Sequence, residues 1–347
     1  MAKKKEEIKL NYREEIQKLK AGGPRRLYLL YGAEDYLREQ YLLQLKKLCL
    51  PEGEDSFSYK RIDGPELGVH ALREAIDAIP FLTERSFVEL RDVDLNRLPE
   101  SESILKLLED IPDYCTVAFI QNTQFEPDGR LKFIKSLREL AVELRFTRQP
   151  QGALVDWVIR RFAAAGKRVE LEAANRLIFI SGDLMNRLIP EIDKIAAYAK
   201  GDVVTVADVE KVANHIPEAI IFTMTDHIAR QEYNAAIHTL AELLEDRNNS
   251  PIPMLAMLGQ QMKRLYAARL ASDKKLGPEY VMEVCSLRQD YHARRLMASA
   301  RGFTPGQLKR AVELCAETDY QMKSSSADDA ELLKEAVLRI IAGEKHA

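Results

Sequence analysis

The chain has 347 residues, of which 46% are hydrophobic and 30% charged. That is long enough for two domains or three small ones, and too mixed in composition for a disordered polymer or a membrane span of about 18 or more apolar residues. Lys plus Arg is 51 and Asp plus Glu 54, a net charge of -3, which argues against a protein that holds nucleic acid by bulk charge alone.

The N-terminus opens Lys3-Lys4-Lys5-Glu6-Glu7, with neither the apolar run of a signal peptide nor the acid-poor composition of a transit peptide. Cys49, Cys115, Cys285 and Cys315 lie 66, 170 and 30 residues apart, without metal-ligand spacing and too sparse for a disulfide framework. No metal site is expected, and a reducing cytoplasm fits.

From Leu27 to Thr147, β-rich runs alternate with helical periodicity. Leu27–Tyr31 reads as a strand, followed by a helix with Leu37, Tyr41, Leu45 and Leu48 on one face. Ser56 to Ile62, Phe87 to Leu90, Thr116 to Gln121 and Val142 to Thr147 read as further strands. Helices are expected near 68–79, 101–110 and 129–140. Strands joined by helix-length crossovers imply a mostly parallel sheet covered on both faces.

After Gln149-Pro150-Gln151-Gly152 the strands almost vanish. Leu154, Trp157, Val158, Arg161 and Phe162 begin an amphipathic helix, and Leu184, Leu188, Ile192, Ile195 and Ala196 mark another. Thr205-Val206-Ala207-Asp208 matches a capping box, and the segment closes near Asn214. From Ile220 onward the pattern is helical throughout. Pro251 and Pro253 precede a helix through Arg269, and Thr304-Pro305-Gly306-Gln307 caps another. The expected domains are 1–149, 150–214 and 215–347.

The turn after the first strand is where an α/β domain holds phosphate, on backbone amides and a helix N-terminus. Here it reads Gly32-Ala33-Glu34-Asp35-Tyr36-Leu37-Arg38-Glu39. Against G-x-x-x-x-G-K-[ST], Gly32 matches. Leu37 replaces the second glycine, Arg38 the lysine and Glu39 the metal-binding hydroxyl. The strand that would carry a metal-binding acid pair ends Glu89-Leu90-Arg91-Asp92, with Arg91 between the acids. Phosphoryl transfer needs a phosphate cradle, metal ligands and a positioned water together. None of the three is legible, nor is G-x-S-x-G or H-E-x-x-H. No catalytic residue, cofactor or metal is therefore expected.

An α/β domain stripped of its phosphate motif, a helical lid and a helical third segment together resemble the delta subunit of the bacterial DNA polymerase III clamp loader. The resemblance rests on Tyr28–Leu37, Pro190–Ile195, Ile221–Asp226 and Asp319–Lys323. It implies an AAA+-like parallel αβα domain without a working phosphate loop, a small helical lid domain and a C-terminal helical collar domain. The partners it implies are the beta sliding clamp, ATPase subunits and delta-prime in a hetero-oligomer, and primed DNA through that complex, with no membrane. The ring would be opened without ATP hydrolysis by this chain, and polymerase activity would belong to the holoenzyme.

In that family the clamp is gripped by apolar residues at the end of a domain-one helix. The matching segment is Ala78-Ile79-Pro80-Phe81-Leu82-Thr83, which makes Ile79, Phe81 and Leu82 the expected clamp contacts. Residue by residue, Leu72, Ala75, Ile76 and Ile79 mark one helix face, and Pro80 ends the helix. Phe81 and Leu82 then fall in a turn, where the local sequence by itself favours their folding back into the core and the resemblance favours exposure. Residues 251–310 carry 11 Lys plus Arg against 4 acids, a surplus that fits a solvated surface, a subunit interface or a share in a DNA-lined chamber. Lys263, Arg264, Arg294 and Arg295 are the candidate contacts. Two other readings remain open: an active AAA+ ATPase with a divergent phosphate loop, and a helical nucleic-acid-binding scaffold.

Overall fold

The computed structural model describes residues 11–51, 53, 58–80, 83–245 and 250–343. The chain separates into two compact units between Gln149 and Pro150, with Leu184–Asn186 grouped with the first.

The first unit begins with α1 (Tyr12–Gly22), then β1 (Leu27–Tyr31), α2 (Asp35–Cys49), β2 (Tyr59–Asp63), α3 (Val69–Asp77), β3 (Ser86–Arg91), α4 (Ser101–Glu109), β4 (Cys115–Ile120), α5 (Lys132–Leu140) and β5 (Val142–Arg145). The five strands form one sheet in the order β2-β3-β4-β1-β5. Every pairing is parallel, with Leu29 opposite Phe119 on one side and Glu143 on the other. β1 and β4 are buried at every residue, as both-face coverage requires.

Strand alternation assigns the two faces. Leu29, Val88, Leu90, Val117 and Phe119 pack with Leu72 and Ile76 of α3, Ile104 and Leu108 of α4, and Ile134 and Leu137 of α5. On the other face lie Phe87, Glu89 and Arg91, and Glu89 pairs with Lys46 of α2. Tyr41 of α2 sits 6.4 Å from Tyr28 and 5.8 Å from Phe146, ring to ring.

The rest of the chain contains α6 (Gln151–Ala164), β6 (Arg168–Val169), α7 (Leu171–Ser181), α8 (Met185–Tyr198), whose first two residues group with the first unit, β7 (Val203–Val204), α9 (Val206–Val212), α10 (Pro217–Ala229), α11 (Tyr233–Glu245), α12 (Pro251–Asp273), α13 (Pro278–Val284), α14 (Asp290–Ala300), α15 (Pro305–Ser324) and α16 (Asp329–Ala342). The capping box expected at Thr205 forms, and the cap expected at Thr304 is a capping box as well. Thr205 N donates to Asp208 at 2.9 Å and Thr304 N to Gln307 at 2.8 Å, each answered by the Thr hydroxyl accepting from the third backbone amide. The longest helix, α12, crosses α15 closely enough that a Cβ on Gly259 would lie 3.4 Å from that of Cys315. Among the described residues no helix is long and apolar enough to cross a membrane.

Several boundaries differ from the sequence expectation. α1 lies before the first expected strand; its thin apolar pattern leaves only Leu19 buried, too little to register as periodicity. α12 runs four residues past Arg269, since Leu270-Ala271-Ser272-Asp273 contains neither Gly nor Pro, and the chain turns at Lys275, which has positive φ. β5 stops at Arg145, although Phe146 N still donates to Tyr31 O at 2.7 Å. The second unit gains a two-residue parallel pair, Arg168–Val169 against Val203–Val204, too short to show alternation.

Candidate functional site

Leu72, Ala75 and Ile76 bury one face of α3 against the sheet. The backbone turns extended at Ala78, where Pro80 ahead disfavours a further helical turn. Ile79 is left 77% exposed, the most exposed large apolar side chain among the described residues. Phe81 and Leu82 lie outside the described residues. The Thr83 hydroxyl donates to Arg85 O at 2.6 Å. A cavity of about 190 Å³ lined by Ser58, Lys60, Glu74, Ala75, Ala78, Ser86, Phe87 and Val88 lies beside the C-terminal end of α3.

The loop after β1 is stitched into the sheet. Glu34 N donates to Phe146 O at 3.0 Å, so an amide at the place of a phosphate cradle is already committed. Gly32 has φ +120, and a Cβ there would sit 2.4 Å from Phe146 O. Leu37 is buried. Arg38 is also buried, with Nη1 3.4 Å from Gly32 O and its guanidinium paired with Asp35.

Glu39 faces β3. Arg91 donates to its two carboxylate oxygens at 3.0 and 2.8 Å and also contacts Glu89. Glu89, 1% exposed, accepts from Lys46 at 2.5 Å and from the Tyr59 hydroxyl at 2.9 Å. Burial pushes the Glu89 carboxyl up, but hydrogen bonds from Lys46 and Arg91 outweigh it and leave it below the ordinary glutamate value. Arg91 is likewise held above its ordinary value, its bonds to Glu39 and Glu89 overcoming burial. Asp35, Glu39 and Glu89 thus balance Arg38, Arg91 and Lys46. An incoming polyphosphate would meet carboxylates and engaged cations. Of this cluster the sequence points to Asp35, Arg38, Glu39, Glu89 and the intruding Arg91. Lys46 and Tyr59 carry no signal, because what brings them to Glu89 is the pairing of β2 with β3 beneath α2.

The candidate cations of the second unit fall in different environments, as neighbours about 100° apart on a helix should. Lys263 and Arg294 are exposed, and Arg294 pairs with Asp290 at 2.5 Å. Arg264 and Arg295 turn inward. The Arg295 guanidinium lies 4.9 Å from the Phe179 ring centre, 5.4 Å from Phe222 and 6.0 Å from Tyr291. Arg264 lines a cavity of about 80 Å³ with Phe179, Phe222, Gln261, His292 and Leu296. Burial, with the charges of Arg264 and Arg295, lowers His292 to about 4 against the opposing pull of Asp183.

Two family models match this chain: "DNA polymerase III, delta subunit" over residues 28–147 and "DNA polymerase III delta subunit, C-terminal domain" over residues 218–340. The chain belongs to the DNA polymerase III delta subunit family. Tyr28–Leu37, Ile221–Asp226 and Asp319–Lys323 fall within those matches, whereas Pro190–Ile195 falls between them. The DNA polymerase III subunit delta of Bacillus subtilis is 20% identical over 331 residues, covering 93% of this chain and 95% of that one. A probable DNA polymerase III subunit delta of Aquifex aeolicus is 21% identical over 324 residues, 89% of each chain. The solved Bacillus subtilis DNA clamp loader delta protein superposes with a TM-score of 0.54 at 19% identity, covering 95% of this chain and 99% of that one. The fold of that delta protein is therefore present, a parallel α/β domain followed by helical segments.

Proposed function

We propose that this chain is the clamp loader subunit that binds the beta sliding clamp and opens the ring for loading on primed DNA, without hydrolysing ATP itself. Family membership supports the setting, and one observation carries the role: Ile79 stands exposed at the end of α3, where delta subunits grip their clamp. An isoleucine is normally driven inward, and fully burying one in a partner's pocket contributes on the order of 1.5–3 kcal/mol. Phe81 and Leu82 follow in sequence and complete the apolar wedge.

Opening the ring requires no bond chemistry on this subunit. A protein that binds the open clamp better than the closed one shifts that equilibrium by the difference in affinity. The committed Glu34 amide and the internally paired Arg38 and Glu39 support a phosphate loop out of use. ATP would be turned over by neighbouring ATPase subunits, with delta-prime completing the hetero-oligomer in the cytoplasm.

The test is binding of the purified chain to its cognate clamp, comparing wild type with Ile79→Ala and with Phe81→Ala plus Leu82→Ala. Loss of affinity in both variants supports the wedge. Unchanged affinity in both removes it, and Mg-dependent ATP hydrolysis by the isolated chain removes the non-catalytic role.

A further inference from the structure

We infer that the ion-pair chain Lys46–Glu89–Arg91–Glu39 holds α2 against the sheet in place of a bound nucleotide and metal, so that the setting of this helix does not depend on nucleotide. In a working phosphate-loop domain, the residue after the loop lysine ligates a metal that also engages the neighbouring strand, tying helix to sheet through the ligand. Glu39 occupies the hydroxyl position here, and Arg91 projects from the C-terminal end of β3. Their two hydrogen bonds, 3.0 and 2.8 Å, span the same gap between helix and strand with no ligand between them.

The geometry suits a fixed tie. A guanidinium meeting a carboxylate through two parallel bonds fixes direction as well as distance. Arg91 is simultaneously held by Glu89 on its own strand, and Glu89 reaches back to Lys46, 2.5 Å away and two turns further along α2. The helix is therefore tied at residues 39 and 46, on both sides of its middle. Tyr59 on β2 bonds to both Glu89 and Lys46, at 2.9 and 3.1 Å, which orients the inner pair. Arg38 meanwhile bonds the Gly32 carbonyl and pairs with Asp35, closing the loop on itself. Arg91 and Glu39 act here as positioning residues. This inference deepens the nucleotide-free part of the reading above and is independent of clamp binding.

Amide hydrogen exchange across residues 35–49 of the full chain tests it, with and without millimolar Mg-ATP. In wild type, protection of α2 should be the same in both conditions. Glu39→Gln and Arg91→Gln should each speed exchange in α2 by about tenfold while leaving β1 and β4 protected. Arg91→Lys, which keeps the charge but not the fork, should restore part of the protection. If Arg91→Gln does not fold, Glu39→Gln decides the matter, because that carboxylate is 40% exposed and its amide is sterically equivalent. Unchanged protection of α2 in the Gln variants would overturn the inference, as would slower α2 exchange in wild type on adding Mg-ATP. Loss of clamp binding with α2 unaffected would bear on the wedge and not on this tie.

Discussion

The carbonyl oxygen of Phe146 lies 2.4 Å from where a Cβ on Gly32 would stand, and the same oxygen accepts the Glu34 amide at 3.0 Å. The glycine that survives from a phosphate-loop pattern is thus required by the sheet: it lets the end of β5 close over the turn after β1. Gly32→Ala should cost about 2 kcal/mol or more, from positive φ together with a backbone clash that no side-chain rotamer relieves. Urea unfolding should show a lower midpoint at unchanged slope.

Glu89 makes stability depend on acid. Its folded pKa is depressed below the ordinary value, so its contribution is present above the unfolded pKa and is lost as pH falls through the folded one. Lys46 from α2, Tyr59 from β2 and Arg91 from β3 face it, and Arg61 adds a weaker field. Glu89→Gln should cost roughly 3 kcal/mol at pH 7, since Lys46 loses its buried partner. The gap between variant and wild type should narrow in urea melts taken from pH 7 down to pH 3.

Under the proposed clamp contact, Ile79→Ala should separate binding from folding. With 77% of the side chain already in solvent, Ile79→Ala should change unfolding free energy by no more than about 0.5 kcal/mol. Clamp affinity should fall about tenfold, corresponding to the loss of one buried apolar anchor. Surface-immobilised clamp and thermal melts on the same preparations give the two readouts.

Arg295 and Lys263 should behave differently despite their equal charge. Arg295 lies over Phe179, Phe222 and Tyr291, so Arg295→Ala should destabilise by about 1–2 kcal/mol through lost cation–π contact and packing. Lys263→Ala, on an exposed site, should leave the melt unchanged within about 0.5 kcal/mol. A lower midpoint for Lys263→Ala, or none for Arg295→Ala, would reverse this assignment.

Much of the first unit was legible from residue pattern. Strands such as Leu27–Tyr31 and Cys115–Ile120 are continuous apolar runs, the signature of sheets buried on both faces. The helices between them carry one apolar stripe each, and Thr205 and Thr304 announce their caps because a hydroxyl three residues before an acid or amide acts locally. α1 was not legible. Its single buried side chain, Leu19, leaves no stripe to detect, and its packing on α2 is a tertiary contact.

The candidate site divides along the same line. Sequence identified Leu37, Arg38 and Glu39 as departures from a phosphate loop, since that is a question of residue type at a fixed spacing, but it put Ile79 on the apolar face of a helix reaching residue 79, whereas α3 ends at Asp77 and leaves Ile79 exposed. It could not say what replaced the lost ligand contacts, because Glu39 and Arg91 stand 52 residues apart and meet only when parallel pairing lays β3 beneath α2. Nor could it tell Arg295 from Lys263, because a charge count is blind to direction. Whether a cation meets solvent or aromatic rings is decided by the helix face it occupies and by what packs there.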